Sequence, residues 1–237
     1  MKGSIIPTTL LLLICLWFTS CSGPTVGSTY YISADGDDSN SGLAEGKAWQ
    51  TIERVNEQDF SPGDRILFRS GDIFQGTISF SAEDAGTKSS KLIVSSFGEE
   101  KAIISGEEAE GLKADSCQYL TIERLEFSGM GRISGNTTDG LLIYQSDGIV
   151  IHNLEVYGFQ HSGVHLHQCN DAVIKHVYAH ENGFAGIHVT GTTIWDTAKY
   201  DNHNLYIGYC VAENNPGDPS VLTSHSGNGI LASSVKG

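Results

Sequence analysis

The chain has 237 residues, 39% of them hydrophobic, with 14 basic against 28 acidic side chains and a formal charge of −14. So negative a balance argues against nucleic acid and anionic membrane surfaces as partners, because both are held by basic patches. It also makes a bare polyanion an awkward ligand unless a metal or a local basic cluster intervenes.

Residues 1–20 read as a leader. Lys2 gives a positive start, and Ile5 to Phe18 form an apolar run broken only by Pro7, Thr8 and Thr9, too short for a membrane span but suited to a signal peptide. The run ends in Phe18-Thr19-Ser20-Cys21, which resembles a bacterial lipobox, although Phe18 stands where Leu is usual. Lipidation of Cys21 is expected, and with it an exported outer-membrane lipoprotein, periplasmic or at the cell surface, held to the membrane by its lipid alone. The other reading is a secreted protein cut nearby. Residues 21–28 form a linker, 29–80 a cap with the first strands, and 81–237 a repeat region.

In the cap, "TYYIS" (29–33) is a predicted strand and "ADGDDSNSG" (34–42) an acidic loop. Calcium is the candidate cofactor, held by oxygen ligands of Asp35 to Asn40 as a stabiliser, although the full twelve-residue calcium-loop pattern is absent. "WQTIERVNEQ" (49–58) predicts a short helix capped by Thr51, with Ile52 and Val55 on one face.

The repeat is the strongest signal. Residues 140–162 and 163–185 are consecutive 23-residue copies, each opening on Gly. A third copy opens at Gly186 and carries insertions at 191–203 and 213–228; a fourth opens at Gly229, and an insertion at 130–139 precedes the first. The apolar residues alternate as in strands. Leu141, Val164, Ile187 and Ile230 should stack in one inward column, Ile143, Leu166, Val189 and Ala232 in the next, with Ile122, Ile151, Ile174 and Ile207 in a third and Leu125, Leu154, Val177 and Cys210 in a fourth. Three short strands per turn make an all-β, parallel β-helix around a dry axis. Cys117, Cys169 and Cys210 are an odd, widely spaced set and form no disulfide framework. The chain stops partway through a turn without a capping element, so a truncated reading frame is expected.

Three segments, "YYISADGDDSNSG", "AWQTIERVN" and "PGDRILFRSGDIFQGTI", followed by the repeats, resemble the N-terminal cap and coil of secreted pectate-lyase-like β-helix proteins of the Bacteroidetes type. The resemblance implies a right-handed coil plugged by the helix, and a glycan groove along one parallel sheet walled by long turns. It fixes chemistry poorly.

All nine histidines fall between 152 and 225. The outward positions of the Gly-led strands carry Tyr144, His165, His167 and His188, which should form one patch, His165 and His188 on adjacent rungs and His167 about 6.6 Å along the strand from His165. Neutral imidazole and phenol can exchange protons near neutral pH, so these four are the candidate catalytic residues. Trp195, Tyr200 and His203 in the long insertion are the candidate sugar-stacking residues. Two other readings stand beside this one: two or three of the imidazoles could converge on zinc or a similar ion, which strand spacing permits, or the histidines are a solvated structural ladder. No HExxH-like spacing supports a metal, and no metal site is assigned. Carboxylates on turns, among them Asp139, Asp147, Asp171 and Asp201, are the alternative route, because glycoside hydrolysis needs two. "NTTDG" (136–140) resembles the "NTDG" of polygalacturonase-like hydrolases, but the accompanying elements are absent. The expected function is a carbohydrate-active, monomeric envelope protein acting on a polysaccharide, a lyase or glycoside hydrolase. The rivals are a non-catalytic glycan-binding or adhesion β-helix and a truncated inactive fragment.

Overall fold

The computed structural model describes residues 27–133, 138–191, 201–217 and 226–236. Cys21, Trp195 and Tyr200 lie outside them. Among the described residues no helix is long and apolar enough to cross a membrane.

The chain winds into parallel sheets. One sheet of six strands runs, in order, through Asn228–Ala232, Ala185–Thr190, Ser162–His167, Leu141–Tyr144, Leu112–Asp115 and Ile78–Phe80. A second, of eleven strands, carries the rest of each turn, and Asn202–His203 pairs with Val235–Lys236 at one corner. The register is the one the 23-residue frame predicts: Leu141 pairs Val164, Val164 pairs Ile187 and Ile187 pairs Ile230. Ile122, Ile151, Ile174 and Ile207 line up likewise. Leu166, Val177 and Ile174 are almost fully buried, whereas Ile230, on the last described rung, is 48% exposed. Each inward Val, Leu or Ile contributes on the order of 1.5–3 kcal/mol.

The corners between strands are made by single residues in the left-handed region. In the turn 163–185 these are Gln168, Asp171, His176 and Glu181, with φ of 56°, 51°, 52° and 56°. His176 belongs to a column with Arg124, Asn153 and Tyr209, all with φ between 52° and 57°. This conformation costs a non-glycine residue roughly 1–2 kcal/mol, and stacking on both sides holds it. Buried polar groups at the corners are also satisfied. Asn182 donates to Val156 O at 3.1 Å and receives the Phe159 N–H, and Asn202 takes the Cys169 N–H at 2.8 Å. Cys117 and Cys169 are free and buried, and burial pushes their thiols up to about 12 and about 11. They are protonated core residues.

The cap follows its sequence. Helix Ile52–Asn56 begins at Thr51, whose hydroxyl accepts the Arg54 N–H at 3.1 Å, and Trp49, Ile52 and Val55 seal the core. The acidic loop is engaged by the chain itself. Asp38 accepts the backbone N–H of Gln50 and Thr51 and the Thr51 hydroxyl, Asp35 pairs with Arg69, and Asp37 accepts from Ser39.

Because Leu166 and Val177 point inward, Leu166→Asp or Val177→Asp should abolish soluble folding by burying an unpaired charge. A variant that kept its β-sheet circular dichroism and melting temperature would contradict this register.

Candidate functional site

The outward face of the six-stranded sheet carries the expected columns. Leu142, His165, His188 and Leu231 are consecutive lateral partners, and Tyr144, His167 and Thr190 form the neighbouring column. The four candidate catalytic residues therefore meet. The His165 and His188 rings stack at 4.4 Å and 19°, the Tyr144 and His167 rings at 4.8 Å and 10°, and His165 and His167 stand edge to face at 6.1 Å.

They are less open to solvent than an outward column on a sheet would suggest. His188 is 8% exposed and the His165 side chain 13%. The cause lies in the segments leading into the strands. Asp139 sits two residues before Leu141, and its carboxylate, 9% exposed, turns onto the sheet face. One oxygen meets His161 Nδ1 at 2.5 Å and the other His165 Nδ1 at 2.9 Å. The Ser162 N–H donates to Oδ1 at 2.9 Å and fixes the carboxylate plane. Phe184 stacks on His161 at 4.9 Å, closing the cluster from the next rung.

Asp139 is thus a buried carboxylate facing imidazoles. Among the described residues no lysine or arginine pairs with it. Burial alone would raise its pKa, but the hydrogen bonds from His161 and His165 prevail and hold it well below the usual carboxylate range. His188 moves the other way. Burial, then the neighbouring His165, pushes it down to about 3 against a smaller opposing pull from Asp139, so it is neutral at physiological pH. His167 is also lowered, by burial first and His165 second. Its Nδ1 meets the Thr190 hydroxyl at 3.0 Å, which sets the ring plane. His165 Nε2 is buried without a hydrogen-bond partner.

His161 was not among the candidates, and Asp139 was only one of several turn carboxylates. Both lie just before the Gly that opens a repeat, where the frame still holds: Thr138, His161 and Phe184 are spaced by 23, as are Asp139, Ser162 and Ala185. Extending the frame two residues upstream of each Gly would have found them. His203 goes elsewhere. It pairs with Lys236, bridges to Asn170, and joins none of the ring contacts of the patch among the described residues.

One ligand atom each from Asp139, His161 and His165 lie within 4.8 Å of one another, so the cluster can hold a metal ion. Two imidazoles and a carboxylate do not suit calcium, which takes six to eight oxygen ligands.

Residues 90–235, well over half of the chain, match the family described as right handed beta helix region. The chain belongs to that family. It is 28% identical over 136 residues to a lacto-N-biosidase of Bifidobacterium longum subsp. longum, a match covering 55% of this chain and 8% of that protein. The GH136 lacto-N-biosidase of Eubacterium ramulus superposes with a TM-score of 0.61 at 18% identity, covering 77% of this chain and 41% of that one. An alginate lyase of Paenibacillus sp. str. FPU-7 superposes with a TM-score of 0.51 at 20% identity, covering 68% and 59%. A rhamnogalacturonan lyase does so with 0.52 at 13% identity, covering 89% and 63%. At these identities the solved structures establish the fold: a β-helix that carbohydrate-active enzymes also use. The chain spans less than half of either lacto-N-biosidase, 8% of one and 41% of the other.

Replacing Asp139 by Ala leaves two imidazole N–H groups and the Ser162 N–H without their acceptor. Asp139→Ala should lower the unfolding free energy by about 1–3 kcal/mol in urea titrations. The exposed Glu83→Ala should stay within about 0.5 kcal/mol of the wild type. Equal midpoints for all three proteins would show that the cluster is not formed.

Proposed function

We propose that this is a carbohydrate-active enzyme of the bacterial envelope that cleaves a sparsely charged polysaccharide, one with isolated uronate residues rather than a bare polyanion, by elimination at the outward face of the Gly-led strands. The single observation that carries this reading is the arrangement of Asp139, His161 and His165 beside the stacked Tyr144–His167 pair on that face. Glycoside hydrolysis calls for two carboxylates free to take and give protons or to attack the sugar. Asp139 is committed to three donors, so a hydrolase centre would need another carboxylate pair. A neutral imidazole next to a phenol can instead serve as the base and the acid of an elimination.

His167, oriented by Thr190, takes the proton α to the uronate carboxyl. The electron pair left behind forms the carbon–carbon double bond as the β C–O bond breaks. Tyr144 gives its phenolic proton to the departing glycosidic oxygen. Asp139 holds His161 and His165 in fixed planes and so shapes the floor on which the sugar rests. The relatedness to the lacto-N-biosidase and the two lyases supports a glycan as substrate, and the insertions at 130–139, 191–203 and 213–228 are the expected walls of the groove. Calcium enters this reading only as a ligand of the acidic cap loop, away from the chemistry.

The test is a polysaccharide panel incubated with the mature chain, with unsaturated and reducing-end products followed separately. Unsaturated ends are expected, and Tyr144→Phe and His167→Ala should each lower turnover roughly 100-fold at unchanged melting temperature. Reducing ends without unsaturation would move the assignment to a hydrolase. Retention on glycan affinity gels without any product would make the protein a binder.

Export rests on the leader and the Ser20-Cys21 motif. With a lipid on Cys21 the protein partitions into detergent, and Cys21→Ala releases it or blocks processing. Recovery of the wild type wholly in the soluble periplasmic fraction would rule the anchor out.

A further inference from the structure

We propose that Asp139, His161 and His165 form a binding site for one divalent transition-metal ion, of the zinc class, at the edge of the groove. The three ligands come from adjoining turns, and their ligand atoms already lie within 4.8 Å of one another. Around a tetrahedral ion with ligands at 2.0–2.2 Å, neighbouring ligand atoms are about 3.3 Å apart. The two carboxylate–imidazole contacts, 2.5 and 2.9 Å, are shorter than this by less than about 1 Å, and the two imidazole nitrogens lie within 4.8 Å of each other, so small side-chain shifts admit the ion. His161 can make such a shift, because its side chain is 35% exposed and sits on a turn.

Charge gives the second argument. A buried carboxylate is normally paired with a cation or bound to a metal. Among the described residues Asp139 has neutralising partners only if an imidazole is protonated, and no arginine occurs anywhere beyond residue 132. A divalent ion would compensate the carboxylate and leave net positive charge on a face of a chain that carries −14. Nitrogen donors select the metal. Two imidazoles with one carboxylate suit zinc, cobalt or nickel, whereas magnesium and calcium take oxygen.

The surroundings have the features of a metal site. The Ser162 N–H orients the carboxylate, and rings of His188 and Phe184 lie against the two imidazoles. His165 Nε2 has no partner, so only Asp139 competes for that ring. Three protein ligands leave a fourth position open, the pattern of sites where a substrate oxygen completes the shell. That last role rests on the elimination reading above; binding of the ion rests on the three ligands alone.

The experiment uses the mature chain stripped with EDTA, titrated with Zn²⁺ by calorimetry and with Co²⁺ by visible absorption. One ion per chain is expected, with the visible bands of low-coordinate cobalt. Asp139→Asn, His161→Ala and His165→Ala should each weaken binding at least roughly 100-fold, more than the usual effect of an outer-shell change. His152→Ala, on the other sheet, should bind as the wild type does. No stoichiometric uptake, or full affinity in both His161→Ala and His165→Ala, overturns the site. Should Asp139→Asn fail to fold, the half-exposed His161 remains a sufficient test. Cleavage of a glycan by a chain that takes up no ion would overturn the metal and spare the elimination reading. Ion uptake without cleavage of any polysaccharide would uphold the metal and remove the enzyme.

Discussion

The in-register stacking of parallel turns is the constraint on which everything else in this molecule depends. Each turn exposes an apolar ring of strands that it cannot bury alone, and only a neighbour at the same azimuth can cover it. A slip of one residue would turn every inward side chain outward. The register is therefore held by the Ile151–Ile174–Ile207 and Leu141–Val164–Ile187 columns together. It has a consequence on the outer face too. Residues 23 apart are placed on neighbouring rungs, so rings such as His165 and His188 must stack whether or not they bind anything.

The corners show how closely local conformation serves that constraint. Gln168, His176 and Glu181 each occupy the left-handed region, where branched residues fit badly and Gly or Asn is usual. A helix or an ordinary hairpin would bend the chain with less local strain, but neither returns it to the same azimuth within 23 residues. Asn182 and Asn202 hold two of the bends by taking backbone N–H groups and giving protons to carbonyls of neighbouring rungs. The polar groups inside the coil are thus part of its register.

The coil, its period and the inward columns were legible in the sequence because burial acts on every turn alike and leaves a repeated mark. The cap helix was legible through Thr51 and the Ile52/Val55 pair. The patch of Tyr144, His165, His167 and His188 was legible as a set of columns, since outward positions inherit the same frame. Asp139 and His161 were not, and the reason is physical. The 23-residue frame carries Asp139 and His161 onto neighbouring rungs, but Ser162 and Ala185 in the Asp139 column are neutral, so no periodic pattern singles out the carboxylate. Only folding shows that its side chain turns over the sheet to reach two imidazoles on the next turn. His203 illustrates the reverse. Its place in the long insertion suggested the groove, but Asn202 is drawn into the core to accept the Cys169 N–H, and His203 is carried with it to the corner.

The molecule uses its aspartates in two distinct ways, and the contrast separates structure from chemistry. Asp38 and Asp64 accept backbone N–H groups that close loops of the cap, and Asp72 joins Arg69 to the Ala34 N–H. These carboxylates complete the hydrogen bonding of segments that have no strand partner. Asp139 takes one backbone N–H, from Ser162, and otherwise faces imidazoles that the fold could have left to solvent. A neutral residue could close the same turn with the histidines left exposed, so closing the turn does not by itself call for a carboxylate there. One carboxylate is buried against two imidazoles on the face that also carries the stacked Tyr144–His167 pair, and its hydrogen bonds outweigh the penalty of its burial. A carboxylate so strongly perturbed, beside a second ring pair on the same face, is what sets the candidate site apart from the rest of the coil.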